Sequence, residues 1–216
     1  MKQIVILVSG YGTNLQAILN AHLTTEISSK IAAVISNNSN AFAIKRAELA
    51  HVATHIIEEE RYKKSELFNK ILIKTVKIYN PDLIVLAGYM RILNIEFVTC
   101  YTGKILNIHP SLLPKYPGLK THQRAIENGE KQHGTSIHFV TEQIDNGPII
   151  LQVTVPIFYN DTEHTLKMRV KYQENIIYPR VIKWFIDGRL EMHENSAWLD
   201  GRRLPHAGYK NPINKK

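Results

Sequence analysis

The stretch Gln3-Ile4-Val5-Ile6-Leu7-Val8-Ser9-Gly10-Tyr11-Gly12-Thr13-Asn14-Leu15-Gln16-Ala17-Ile18-Leu19 decides the fold class. Gln3 to Val8 is apolar without polar alternation, the pattern of a strand covered on both faces. It stops at Ser9-Gly10-Tyr11-Gly12, and Asn14 to Leu19 reads as helix. The same alternation then repeats. Ile31 to Ser36 reads as a second buried strand closed by Asn37-Asn38-Ser39-Asn40, followed by a helix from Ala41 to Ala50 and a third strand from Val52 to Ile57. Leu67, Phe68, Ile71, Leu72, Thr75, Val76 and Tyr79 form one stripe at helical spacing, with Lys63, Lys70, Lys74 and Lys77 largely off it. Pro81 ends that helix and Leu83 to Ala87 is an apolar fourth strand.

Working outward, Lys104 to Ile108, Thr135 to Val140 and Ile149 to Val155 read as further strands. A Pro/Gly-rich loop from Pro110 to Gly118 and a short helix from Thr121 to Asn128 fall between the first two of these. Thr162 to Ile186 reads as a long helix interrupted near Pro179, and the chain ends in a basic tail. Apolar strands separated by amphipathic helices predict an α/β fold: an open, mostly parallel twisted sheet of about seven strands with helices on both faces. No repeat or long linker divides the chain, so residues 1–216 are expected to form one domain.

Composition narrows the function. With 44% hydrophobic and 21% charged residues in 216, the chain is too apolar to be disordered. The balance of 27 Lys+Arg against 19 Asp+Glu leaves a formal charge of +8, which admits nucleic acid, an acidic membrane or a small anionic substrate as partner. The basic residues form no stripe with aromatics, so nucleic acid is not specifically indicated. No apolar run approaches ~18 residues, and the first residues lead into a strand rather than a secretory signal, so a cytoplasmic protein without membrane attachment is expected. Cys100 is the lone cysteine, which excludes an internal disulfide and a multi-Cys zinc site; it is expected to be a small buried hydrophobe. The ten histidines are scattered, and His51 and His55 lack a His-Glu-x-x-His context, so no metal is expected.

In an open parallel sheet, ligands bind outside the carboxyl ends of the strands. Three features fall there. Gly10-Tyr11-Gly12-Thr13-Asn14 allows close backbone approach and opens a helix whose first amides favour an anion such as phosphate. It also reads as a plain strand-to-helix turn, because the third glycine of a dinucleotide fingerprint is missing and no Walker motif exists. In Asn107-Ile108-His109-Pro110, the side chains of Asn107 and His109 alternate to one face of a strand end. An amide donor beside an imidazole can stabilise an oxyanion and move a proton, although a lone strand histidine is more often structural. Asp145, in Gln143-Ile144-Asp145-Asn146-Gly147-Pro148, is either an Asx-turn residue or the partner that orients a histidine.

Longer blocks carry a resemblance. Val8 to Ile18, Ala87-Gly88-Tyr89-Met90-Arg91-Ile92-Leu93, Leu106 to Gly118, His133 to Val140, Asp145 to Ile150 and Glu194 to Gly201 are together similar to the phosphoribosylglycinamide formyltransferases. These are folate-dependent enzymes of purine biosynthesis with a Rossmann-like fold, and the similarity runs through almost the whole chain. The block Asn107-Ile108-His109-Pro110-Ser111-Leu112-Leu113-Pro114 is specific to formyl-folate enzymes.

The resemblance implies a phosphate-binding half (1–100), a folate and catalytic half (101–190) and a tail (191–216). It implies direct transfer of a formyl group from 10-formyltetrahydrofolate, as co-substrate, to the amine of glycinamide ribonucleotide, without metal or covalent intermediate. Asn107 would bind the formyl oxygen, protonated His109 would stabilise the oxyanion, and Asp145 would favour the charged imidazole and help carry the proton. Gly12, Thr13 and Asn14 would hold the ribose phosphate and Glu174 the ribose hydroxyls. Met90, Arg91, Ile92 and Leu93, with Asn107, Val140 and Thr141, would line the pterin pocket. At Ser65, where the family pattern has an arginine for the folate tail, the neighbouring Lys64 would supply a point charge without the arginine fork. The partners implied are small molecules, with a monomer or weak homodimer as the assembly. Alternatives are another folate formyltransferase, a formyltetrahydrofolate hydrolase, or, from a different class, a basic RNA-binding module.

Overall fold

The computed structural model describes residues 1–62 and 65–210, which fall into two compact units divided between Leu106 and Asn107. The first unit runs β1 (Gln3–Val8), α1 (Thr13–Leu23), β2 (Lys30–Ser36), α2 (Phe42–Leu49), β3 (Thr54–Ile56), α3 (Ser65–Ile78), β4 (Leu83–Leu86) and α4 (Ile95–Cys100). Its strands lie in the order β4-β1-β2-β3 and all pairs are parallel; Ile6 of β1 faces Val85 on one side and Val34 on the other. Ile4 to Val8 are wholly buried, as both-face coverage requires. Parallel pairing puts the loops after β1, β2 and β4 at one edge. Ser9 ties the three together: its hydroxyl donates to Asn37 Oδ1 at 2.6 Å and accepts the Met90 N–H at 2.8 Å.

The second unit contains the end of β5 (Ile105–His109), then α5 (Thr121–Glu127), β6 (Gln132–Phe139), β7 (Ile149–Pro156) and α6 (Glu163–Ile186). A small antiparallel sheet follows, of β8 (Leu190–His193), β9 (Ser196–Leu199) and β10 (Arg202–Arg203), and β11 (Tyr209–Lys210) returns to pair with β7. The order here is β11-β7-β6-β5, and β6–β7 is antiparallel. The α/β class and the mostly parallel sheet are therefore as expected. Leu166 and Val170 of α6 pack on Val155 of β7. No helix among the described residues is long and apolar enough to cross a membrane.

Four local expectations are corrected. Helix α6 runs unbroken through Pro179. A mid-helix proline costs roughly 3 kcal/mol, but Ile177, Tyr178, Val181 and Ile182 around it are fully buried and their packing offsets that. Cys100 is exposed at the last residue of α4, whose buried residues are Phe97 and Val98. On α3 the buried stripe is Phe68, Leu72, Ile73 and Val76, while Leu67 stays half exposed, so the core-facing side is rotated from the predicted one. Helix α4 itself was not predicted; its signal is Asn94, whose side chain accepts the Phe97 N–H at 3.0 Å as an N-cap.

Candidate active site

In the second unit β5 delivers Asn107 and His109 to one face, and the connection between β6 and β7 delivers Asp145. His109 is 6% exposed, and its Nδ1 lies 3.4 Å from Asp145 Oδ2. Its Nε2 lies 2.9 Å from the Tyr116 carbonyl, which can only accept, so Nε2 carries a proton. Nδ1 then faces a carboxylate oxygen, and this arrangement is satisfied when Nδ1 carries a proton too. Asp145 Oδ2 also accepts the Gly118 N–H at 2.9 Å. Asp145 adopts a positive φ of 50°, and a Cβ on Gly147 would run into the Phe139 carbonyl. The turn thus closes tightly enough to aim Asp145 only because position 147 has no side chain.

A fourth residue belongs to this cluster that the sequence reading passed over. His138 is 2% exposed; its Nδ1 donates to the Phe139 carbonyl at 2.8 Å, and its Nε2 sits 3.2 Å from Asn107 Nδ2 and 3.8 Å from Asp145 Oδ1. Burial lowers its proton affinity, opposed by the Phe139 carbonyl and Asp145. The ring is therefore neutral with Nε2 as acceptor, and it takes one N–H of the Asn107 amide. That fixes which end of the amide is nitrogen and leaves its second N–H available. The missed signal is its place on a buried strand flanked by apolar residues, where Ile137-His138-Phe139 reads as core. Replacing His138 with leucine is expected to lower kcat about tenfold with both KM values little changed, and the added loss should vanish in an Asn107→Ala background, read by a double-mutant kinetic cycle.

Below the loop that carries Tyr116, His122 and His133 meet with ring centroids 5.2 Å apart, and they are 7% and 1% exposed. Neither Nε2 has a hydrogen-bond partner among the described residues. Burial pushes His122 down from the ordinary 6.5 to about 4, with His133, Lys167, Lys171 and His109 adding repulsion, and burial lowers His133 as well. A lowered folded-state value means that stability is full above the unfolded value and is lost as pH falls from about 6.5 towards about 4. Over the ~2 units from 6.5 down to pH 4.5, at ~1.4 kcal/mol per unit, His122 alone contributes a loss of roughly 2–3 kcal/mol. Thermal unfolding between pH 7 and pH 4.5 should show this decline, and His122→Leu should flatten it.

The residues expected to bind an anion lie in the first unit. Gly12 has φ +78° and precedes α1. The Gln16 N–H is the first to find a helical acceptor, Gly12 O at 2.9 Å, so the amides of Thr13 and Leu15 have none within the helix. Thr13 Oγ1 is buried without a hydrogen-bond partner among the described residues. These are the features of a polar cradle for an anion. Asn14 is buried on α1.

After β4, Met90 and Ile92 present largely exposed apolar side chains, at 72% and 67%. Arg91 lies over Phe68, with its guanidinium carbon 4.1 Å from the ring centroid, and donates to Ser65 Oγ at 2.9 Å. The structure thus places an arginine at Ser65, whereas Lys64 lies outside the described residues. In the second unit Glu174 is buried on α6, and Val140 and Thr141 follow β6, half-buried.

Residues 2–182 match the family described as formyl transferase. The chain is 54% identical to the phosphoribosylglycinamide formyltransferase of Escherichia coli over 206 residues, 95% of this chain and 97% of that one. The solved structure of the Coxiella burnetii phosphoribosylglycinamide formyltransferase superposes with a TM-score of 0.92 at 50% identity, covering 96% and 98% of the two chains. A formyltetrahydrofolate deformylase from Pseudomonas syringae is more distant, at 27% identity and TM-score 0.86, and this chain covers 65% of it. The chain belongs to the formyl transferase family.

Proposed function

We infer that this chain transfers the formyl group of 10-formyltetrahydrofolate to the primary amine of N1-(5-phospho-D-ribosyl)glycinamide, giving the formylamide and tetrahydrofolate. The 54% identity to a phosphoribosylglycinamide formyltransferase over nearly full length supports the reaction. The observation that carries the mechanism is the His109–Asp145 pair at 3.4 Å beside an Asn107 amide oriented by His138.

The amine lone pair attacks the formyl carbon, and the carbonyl π pair moves to oxygen. The free N–H of Asn107 and the His109 imidazolium stabilise that developing oxyanion, in a pocket where burial strengthens both interactions. Asp145 holds His109 charged and relays the proton released by the amine, directly or through water, towards the folate nitrogen. Collapse of the intermediate reforms the C=O bond and breaks the bond to that nitrogen, which leaves protonated. The loop Gly12-Thr13-Asn14 holds the phosphate and Glu174 the ribose hydroxyls. The resemblance assigns Met90, Arg91, Ile92 and Leu93, and separately Val140 and Thr141, to pterin contacts, and Lys64 or Arg91 to the acidic tail of the folate.

The test measures tetrahydrofolate release from 10-formyltetrahydrofolate with and without the glycinamide nucleotide. Release only with the nucleotide, matched mole for mole by formylated product, is expected. Equal release in its absence would instead mark a hydrolase, the activity named for the Pseudomonas structure.

A further inference from the structure

Arg46 of α2 makes three contacts with Tyr11 and the first turn of α1, and a fourth with Phe42 of its own helix. Its Nε donates to the Tyr11 carbonyl at 2.9 Å, and one terminal nitrogen donates to Gln16 Oε1 at 2.8 Å. Its guanidinium carbon lies 4.7 Å from the Tyr11 ring centroid and 4.9 Å from that of Phe42. Those two rings stack on each other at 5.1 Å and 14°, although both are open to solvent, at 64% and 45%. The start of α2 also touches the loop through its backbone, with the Ala43 N–H donating to the Gly10 carbonyl at 3.1 Å.

We propose that Arg46 is a positioning residue for anion binding: it sets the Tyr11–Gly12 peptide, and with it the loop that receives the substrate phosphate. This rests on the assignment of Gly12-Thr13-Asn14 as the phosphate loop. The peptide is planar and trans, so its carbonyl and its N–H point in opposite directions. Pinning the Tyr11 oxygen to Arg46 therefore determines where the Gly12 N–H points. Glycine at φ +78° has wide backbone freedom, and a loop so built keeps one conformation only if something outside it holds a peptide plane. The planar fork of arginine does this while stacking on Tyr11 and Phe42, which lysine cannot reproduce. Because its contacts are with the loop and the rings, Arg46 acts on the phosphate through them rather than as a free charge.

The experiment compares Arg46→Met, Arg46→Lys, Phe42→Ala and Gly12→Val for kcat, both KM values and the inhibition constant of inorganic phosphate. A substrate analogue without the 5′-phosphate is the control. Arg46→Met should raise the nucleotide KM and the phosphate inhibition constant about tenfold. Its kcat, its folate KM and its KM for the dephosphorylated analogue should stay within about twofold. Phe42→Ala should move the same constants several-fold in the same direction without altering any charge, and Arg46→Lys should restore little. Full restoration by lysine, an unchanged nucleotide KM in Phe42→Ala, or an equal loss for the dephosphorylated analogue would each overturn the proposal. If Gly12→Val leaves the nucleotide KM unchanged, the phosphate-loop assignment itself is wrong. If Gly12→Val raises it and Arg46→Met does not, only the role of Arg46 falls.

Discussion

Asp145→Asn is expected to keep the fold and lower kcat by two or more orders of magnitude. The amide is isosteric and can still accept the Gly118 N–H that now reaches Oδ2 at 2.9 Å, so the turn should survive. What is lost is the negative charge 3.4 Å from His109 Nδ1. The proposed mechanism then lacks the opposite charge beside the ring that donates Nε2–H to Tyr116, and a neutral ring cannot stabilise an oxyanion as a cation does. His109→Ala should do comparable damage, and the double variant should be barely worse than either single one, since residues acting as one unit are non-additive. Kinetic profiles of wild type and Asp145→Asn across neutral pH check this. Near-normal turnover in Asp145→Asn would reduce Asp145 to a turn residue.

Gly12→Val carries the second large effect, on binding rather than chemistry. A Cβ at position 12 would lie 2.7 Å from Ala43 Cβ and 2.8 Å from Ala43 Cα, at a φ of +78° that L residues rarely adopt. The loop must shift away from α2, which moves the amides at the start of α1 off any phosphate they hold. The nucleotide KM should rise by about two orders of magnitude, while the dissociation constant of a folate analogue, measured by fluorescence or calorimetry, changes little. Strain of this kind costs on the order of 1–3 kcal/mol of stability, so the protein should remain folded. Equal loss of both ligands in a folded variant would remove the phosphate from this loop.

The sheet was legible in the sequence because both-face burial writes uninterrupted apolar runs such as Ile4-Val5-Ile6-Leu7-Val8 and Leu83-Ile84-Val85-Leu86. Asn107, His109 and Asp145 were legible as separate weak features, and only the resemblance carried by several blocks, Leu106 to Gly118 and Asp145 to Ile150 among them, joined them. His138 was not, because a neutral histidine that satisfies itself on the next carbonyl looks like any core residue between Ile137 and Phe139. Continuity of α6 through Pro179 was also hidden, since local propensity opposes it and tertiary packing decides. Arg46 escaped notice for another reason: in sequence it is one more cation on an amphipathic helix, and its role exists only through the Tyr11 carbonyl and two rings.

The antiparallel β6–β7 pair has a kinetic consequence. Its strands are neighbours in the chain, with His138 opposite Ile149, so little loop-closure entropy opposes their meeting. The parallel β1–β4 pair instead joins Ile4 to Leu83 and must wait for a long crossover to order. On refolding from denaturant, amide protons of β6 and β7 should therefore gain exchange protection before those of β1 and β4. The turn that aims Asp145 would then be in place while the first unit is still assembling.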